Sequence, residues 1–474
     1  MIIFKGFTAM KNAFYLLLFI CCIIKIAIMT AGCAQIMTPT GGPKDTIPPK
    51  LLSSTPANRT TNFKGDKITL NFNEYIDLDN VSQNLLVSPA PKKNPYVDYK
   101  LRTVTIKLKD TLMENTTYVI NLGNSIKDLN EGNIYPDFTY VFSTGAVIDS
   151  LDLSGNVLMA ETALPDSTLQ VYLFKNAPDS AVQTRKPDYI ARVTSRGTFR
   201  FTNLSAGNYK IYALKDADGS KTYNSSAEVF AFSDSLISVT SATSPVSLFA
   251  YVEEPLKPKV SAAIPGKPKQ GSQKNDLTYN LTSSIIQSLL KPLTLEFSSP
   301  VKSFDKNKIR LTDTNYTVVA GATVLLDSTI KKINVNANWT EDMNYLLIIN
   351  KDAVADSTGK TLIKTDTLKF RARKKSDYGS VRITFADLSS IKNPVLQFVV
   401  NNVVANSYPL TTEIWSAALF EPGDYELRIL SDTNKNGIWD HGNYKLKKQP
   451  ERVIAIPQHL TIKGNWDNER EIRL

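Results

Sequence analysis

A string near the C-terminus, Gly423-Asp-Tyr425-Glu-Leu-Arg-Ile-Leu-Ser-Asp432-Thr-Asn434-Lys-Asn436-Gly437-Ile438-Trp439-Asp440, has an echo 216 residues earlier. There the chain reads Gly207-Asn-Tyr209-Lys-Ile-Tyr-Ala-Leu-Lys-Asp216-Ala-Asp218-Gly-Ser220-Lys221-Thr-Tyr223-Asn224. The glycine, the tyrosine, the alternating strand, the Asp that opens the loop and the aromatic that closes it coincide at one offset. That points to a chain built twice. Its 474 residues exceed what one hydrophobic core usually spans.

The first thirty-two residues belong to neither half. Lys5 and Lys11 precede an apolar run from Ala13 to Ile24, and Thr30-Ala31-Gly32 brings small residues up to Cys33. This is the pattern of a secretory signal peptide. Lys25 cuts the apolar run to about twelve residues, short of the roughly twenty that span a bilayer. Cys21 and Cys22 lie inside this segment, so an exported chain keeps Cys33 alone and cannot close an internal disulfide. The formal charge is +10, of which three belong to Lys5, Lys11 and Lys25, leaving +7 on the mature chain. So mild an excess on an exported chain favours solubility over nucleic-acid binding.

Small residues ahead of Cys33 resemble the lipobox of bacterial lipoproteins, with Thr30 where an aliphatic residue is usual. The resemblance implies that Cys33 is acylated, for example with palmitate, and tethers the chain to a membrane. Residues 33–49 are dense in proline and glycine and are expected to be a spacer that does not pack.

From 50 to 145 the apolar residues alternate: Ile68, Leu70 and Phe72; Val104, Ile106 and Leu108; Tyr118, Ile120 and Leu122; Phe138, Tyr140 and Phe142. Period two with turn residues between the runs predicts a β-sandwich. Pro48-Pro49, Ser54-Thr-Pro-Ala57, Ile68-Thr-Leu-Asn-Phe-Asn-Glu74, Lys127-Asp-Leu-Asn130 and Tyr140-Val-Phe-Ser-Thr-Gly145 together resemble the bacterial Ig-like domain of S-layer and other surface proteins. That family is mostly structural or adhesive, and no catalytic residues come with it. Residues 149–253 carry Gly197-Thr-Phe199-Arg-Phe201, then Leu204 and Gly207-Asn-Tyr209, a string similar to the transthyretin-like, carboxypeptidase-regulatory type of β-sandwich.

Residues 254–280 read as a Pro/Lys-rich linker. Leu293 to Phe297 then answers Ile68 to Phe72, Met343 to Ile349 answers Thr116 to Leu122, and Asp356 to Gly359 answers Asp128 to Gly132, at offsets that drift from 225 to 228. This gives a degenerate Ig-like module over 281–373, and 376–474 completes the second transthyretin-like module. The expected fold is all-β, with tandem sandwiches in the order A-B-A′-B′.

The most specific polar motif is Asp432, Asn434, Asn436, Gly437, Ile438 and Asp440. Oxygen-bearing side chains at positions 1, 3, 5 and 9, glycine at 6 and the Ile438 carbonyl at 7 reproduce the spacing with which an EF-hand-type loop wraps calcium. Asn443, at position 12, is a candidate sixth ligand in place of the usual glutamate. A self-bonded polar turn is the competing reading. The echo offers Asp216, Asp218, Ser220 and Asn224, with Lys221 where the glycine belongs, which makes the C-terminal copy the one to test. Beyond calcium, no cofactor is expected.

Catalysis has little material. His441 and His459 are the whole histidine complement, and no phosphate loop, Gly-x-Ser-x-Gly elbow or His-Glu-x-x-His is present. Tyr96, Tyr99, Tyr135, Trp439 and Trp466 are candidates for stacking on sugars. The Gly41-Gly-Pro-Lys-Asp45 tether and the Ig-like domain after it resemble cell-envelope lipoproteins of the Bacteroidetes. That resemblance implies a two-membrane cell and attachment to the outer membrane. Two partners stay open, a protein for an adhesive or scaffold element and a glycan for an accessory to polysaccharide uptake.

Overall fold

The computed structural model describes residues 14–25, 44–253, 277–281 and 286–474. Phe14 to Lys25 is an exposed helix, and no described helix is long and apolar enough to cross a membrane. Cys33 lies outside the described residues.

Module A is a sandwich. Strands Leu51–Thr55, Lys67–Phe72, Thr103–Lys107 and Tyr96–Lys100 pair in that spatial order. Leu86–Ser88, Thr117–Gly123 and Phe138–Ser143 form the facing sheet, and Ile76–Leu78 pairs with Ile126–Asp128. The alternating residues Ile68, Leu70, Phe72, Val104, Ile106, Ile120 and Phe142 meet in one core, as period-two strands with one buried face require.

Module A′ repeats these pairings. Tyr279–Leu281, Leu293–Phe297, Lys332–Asn336 and Thr323–Leu326 answer the first sheet. Ile309–Asp313, Asn344–Ile349 and Asp366–Ala372 answer the second, and Val301–Phe304 pairs with Val354–Asp356. The degeneracy expected of A′ is therefore one of sequence and not of pairing.

The B modules match in the same way. In B, Leu151–Met159 pairs antiparallel with Thr198–Leu204 and parallel with Val246–Val252. Gln170–Lys175 lies between Tyr189–Arg192 and Gly207–Leu214. In B′, Gly379–Ala386 pairs antiparallel with Ile414–Phe420 and parallel with Asp467–Arg473. Pro394–Val400 lies between Val403–Pro409 and Gly423–Ser431. Phe199, Phe201, Tyr209, Ile211 and Ala213 all enter the B core. The chain is all-β, in the order A-B-A′-B′.

Two expected boundaries move. The spacer reading of 33–49 fails at its end: Pro49 is buried, and the Asn133 amide donates to the carbonyls of Asp45 at 3.1 Å and Ile47 at 3.4 Å. Proline and glycine prevent a helix there, but not docking on an existing sheet. The linker reading of 254–280 also runs too far, because Leu277 and Tyr279 already pack in the A′ core.

Modules meet through side chains. Ser88 Oγ accepts the Ile190 amide at 3.3 Å, and the Arg192 guanidinium reaches from B to the carbonyls of Gln83 and Asn84 in A. At the second junction Tyr378 Oη accepts the Leu289 amide at 2.7 Å, and Glu421 of B′ accepts from Ser288 at 2.9 Å and pairs with Lys291.

Candidate functional site

The polar loop of B′ leaves the strand Gly423–Ser431 at Asp432, which is 2% exposed. Asp432 Oδ1 accepts the amides of Lys435 at 2.7 Å and Asn436 at 3.3 Å, and Oδ2 accepts that of Gly437 at 2.7 Å. Asn434 Oδ1 takes the Asn436 amide and Asn436 Oδ1 takes the Ile438 amide. Both asparagines turn their NH2 groups onto Asp440 Oδ2. The four expected side-chain ligands thus line one tight loop around the Ile438 backbone. Asn443 does not join them: its Oδ1 accepts the Leu446 amide, and its backbone pairs with Lys448 in a separate hairpin.

A residue that spacing did not suggest closes the loop. Glu451 is 3% exposed; its Oε1 accepts from the Thr433 amide and hydroxyl, both at 2.6 Å, and its Oε2 accepts the Asp440 amide at 3.1 Å. Trp439 Nε1 donates to the Glu451 carbonyl at 2.7 Å, which ties the closing aromatic to the same residue. Glu451 stands eleven residues beyond Asp440, outside any loop motif.

Module B has the same apparatus. Asp216 Oδ2 accepts the Lys221 amide, Asp218 Oδ1 the Ser220 amide, and Asn224 Nδ2 donates to Asp218 Oδ2 at 2.8 Å. Glu228 stands where Glu451 does, accepting the Asn224 amide at 3.2 Å. Both loops turn left-handed at positions 4 and 6, with φ of +73° at Gly219 and +59° at Lys221 against +64° at Lys435 and +76° at Gly437. The glycine has changed places without changing the backbone. A non-glycine residue in that region costs about 1 kcal/mol, which the surrounding bonds offset.

The carboxylates gather in B and not in B′, the reverse of the order read from the glycine. Asp216, Asp218 and Glu228 each place an oxygen within 4.8 Å of the others. Burial, then the neighbouring Asp218, hold the Asp216 carboxyl above the usual range, and burial also raises Glu228. Asp218 is held well below that range by hydrogen bonds from Asn224 and Ser220.

The remaining candidates divide by exposure. Tyr135 packs edge-on between Phe72 and Phe138, and Trp439 is partly buried, so neither is a free platform. Tyr96, Tyr99 and Trp466 are exposed at 48%, 42% and 60%. Lys109 stands over the Tyr96 ring at 5.0 Å and Lys463 over Trp466 at 4.7 Å, on faces a sugar would use. A cleft of about 950 Å³ lies between A and B. Its lining holds Arg192, Arg200 and one carboxylate, Asp137, so it lacks the carboxylate pair of a glycosidase. His441 Nδ1 lies 2.9 Å from the Gly442 carbonyl.

No curated protein matches the sequence. Among solved structures, the Bacillus anthracis TIE protein is similar over 92% of this chain and 75% of its own, at 12% identity and a TM-score of 0.18. The major pilin subunit BcpA of Bacillus cereus is similar over 69% and 99%, at 11% identity and 0.17. For the N-terminal part of the bacterial S-layer protein SbsC the figures are 43% and 44%, 15% and 0.16. Residues 45–144 match the family of the bacterial Ig-like domain.

Proposed function

We propose that this chain is an exported lipoprotein, anchored to the outer membrane through Cys33, that serves as a non-enzymatic structural and protein-binding element of the cell envelope. The observation that carries the reading is the bacterial Ig-like match over 45–144. The polar groups of the loops favour it further, because they are spent on holding backbone and not aimed into a cleft. Calcium, where it binds, is a structural ion that stiffens the Asp216 and Asp432 loops; its ligands in the second loop would be Asp432, Asn434, Asn436, the Ile438 carbonyl and Asp440. Glycan binding, as an accessory to polysaccharide uptake, is the weaker reading, since cations stand over two of the exposed rings.

The test is crosslinking in intact cells followed by affinity capture of the full chain. A defined envelope protein, recovered from wild type and lost when the chain is released by Cys33→Ser, supports the reading. Incorporation of labelled palmitate into wild type but not Cys33→Ser tests the anchor. Capture of polysaccharide without protein would overturn the choice of partner.

A further inference from the structure

The two loops differ in one respect that the repeat makes measurable. Glu228 stands four positions beyond Asn224, whereas Glu451 stands eleven beyond Asp440, so B′ carries a seven-residue insertion. The inserted chain forms a small hairpin, closed by the Asn443–Lys448 pairing, that leaves its own module and enters B.

Its point is Tyr444, 5% exposed although it belongs to a surface loop. The ring lies 5.1 Å from Phe230, 5.2 Å from Phe232 and 5.9 Å from Tyr212, on the outer face of the B sheet. Its hydroxyl donates to the Asp179 carbonyl at 2.7 Å and lies 3.1 Å from Tyr212 Oη. Lys447 Nζ sits 3.8 Å over the Tyr444 ring and 3.2 Å from Asp179. Gln449 Nε2 donates to the Phe232 carbonyl at 3.0 Å and to Asp234 at 2.8 Å. This is a plug and a socket. The ring fills an aromatic pocket, and its rim is matched in charge and hydrogen bonding.

We infer that the aromatic socket of module B is a docking surface for the 441–450 hairpin of a second copy of this chain, as well as for its own. Plug and socket lie in different halves, joined in sequence only through residues 254–276. The hydrogen bonds described between the halves start from Tyr444, Gln449 and Val453, the last donating to the Ala160 carbonyl at 2.9 Å. Exchange of an identical element between copies restores every one of these contacts and makes no new surface. In dilute solution the intramolecular pairing prevails, while copies held side by side on one membrane raise the concentration of the competing plug. The inference rests on the scaffold reading in naming its partner as a second copy.

The test uses two full-length variants in detergent. One lacks the plug, through Tyr444→Ala with Lys447→Ala. The other has a repelling socket rim, through Asp179→Lys with Asp234→Lys, both at exposed side chains. Each alone should sediment as a monomer, and an equimolar mixture should give a one-to-one complex, because one intact plug then meets one intact socket. A mixture that stays monomeric overturns the inference. If either variant fails to fold, the deciding mixture is a chain bearing Asp234→Cys with one bearing Gln449→Cys. With the two chains reconstituted side by side at high density in one vesicle membrane, a disulfide-linked pair is expected on oxidation, and none overturns the inference. Capture of a different envelope protein from cells would leave the scaffold reading standing while this inference fails.

Discussion

Glu451 holds the Asp440 amide at 3.1 Å while its other carboxylate oxygen holds Thr433, so one buried side chain spans both ends of the polar loop. Glu451→Ala leaves those amides without an acceptor, and a lost hydrogen bond to a charged group costs about 1.5–3 kcal/mol. The expected result is a B′ transition at lower urea concentration, followed by the fluorescence of Trp439, whose indole donates to the same residue. Glu451→Gln should recover part of the loss. An unchanged midpoint would remove Glu451 from its closing role.

The first loop predicts a pH dependence. Asp216 and Glu228 have folded values above the ordinary ones, so folded B binds protons more tightly than the unfolded chain there. Their contribution is favourable at low pH and is lost as pH rises through the raised values. Asp218, depressed, works in the opposite sense. Calcium added at neutral pH is expected to raise the melting temperature of B, with a gain that shrinks as pH falls toward the raised values of Asp216 and Glu228. Calorimetry of the full chain with calcium and with chelator checks this. Identical melting in both would leave the loops as self-bonded turns.

At the second junction Glu421 lies below the usual glutamate range: burial opposes this, but the bonds from Lys291 and Ser288 outweigh it. Its contribution is full above the ordinary glutamate value and is lost as pH falls through the lowered one. Glu421→Gln should weaken the A′–B′ contact by about 1 kcal/mol, since Lys291 is exposed and screened. Faster hydrogen exchange at the Leu289 amide would report it.

Gly155 admits no side chain for a reason unrelated to backbone conformation. An added Cβ would lie 2.0 Å from the Val246 carbonyl oxygen and 2.6 Å from the Phe199 ring. Gly155→Ala must push apart two paired strands, at a cost of about 1–3 kcal/mol or more. Thermal unfolding should show a lower transition for B alone.

The strand alternation of Ile68, Leu70 and Phe72 was legible because one face of each strand is buried and period two is local. The echo at Asp216 was legible because the glycine and tyrosine of the strand and the Asp that opens the loop keep one offset. Glu451 and Glu228 were not, since each reaches its loop from the start of the next strand, across different lengths of chain. Nor could spacing find the role of Tyr444, because a plug is defined by its socket, 232 residues away at Tyr212. The shared turn at the sixth position was hidden for a related cause: Lys221 adopts a backbone that its residue type does not advertise.

The docking of Asp45 to Pro49 against module A fixes a length. With the lipid on Cys33 as proposed, Asp45 stands twelve positions beyond the anchor. Fully extended, that stretch reaches about 40 Å. Module A, on that anchor, is thus leashed within about 40 Å of the bilayer, and the rest of the chain stands outward from it.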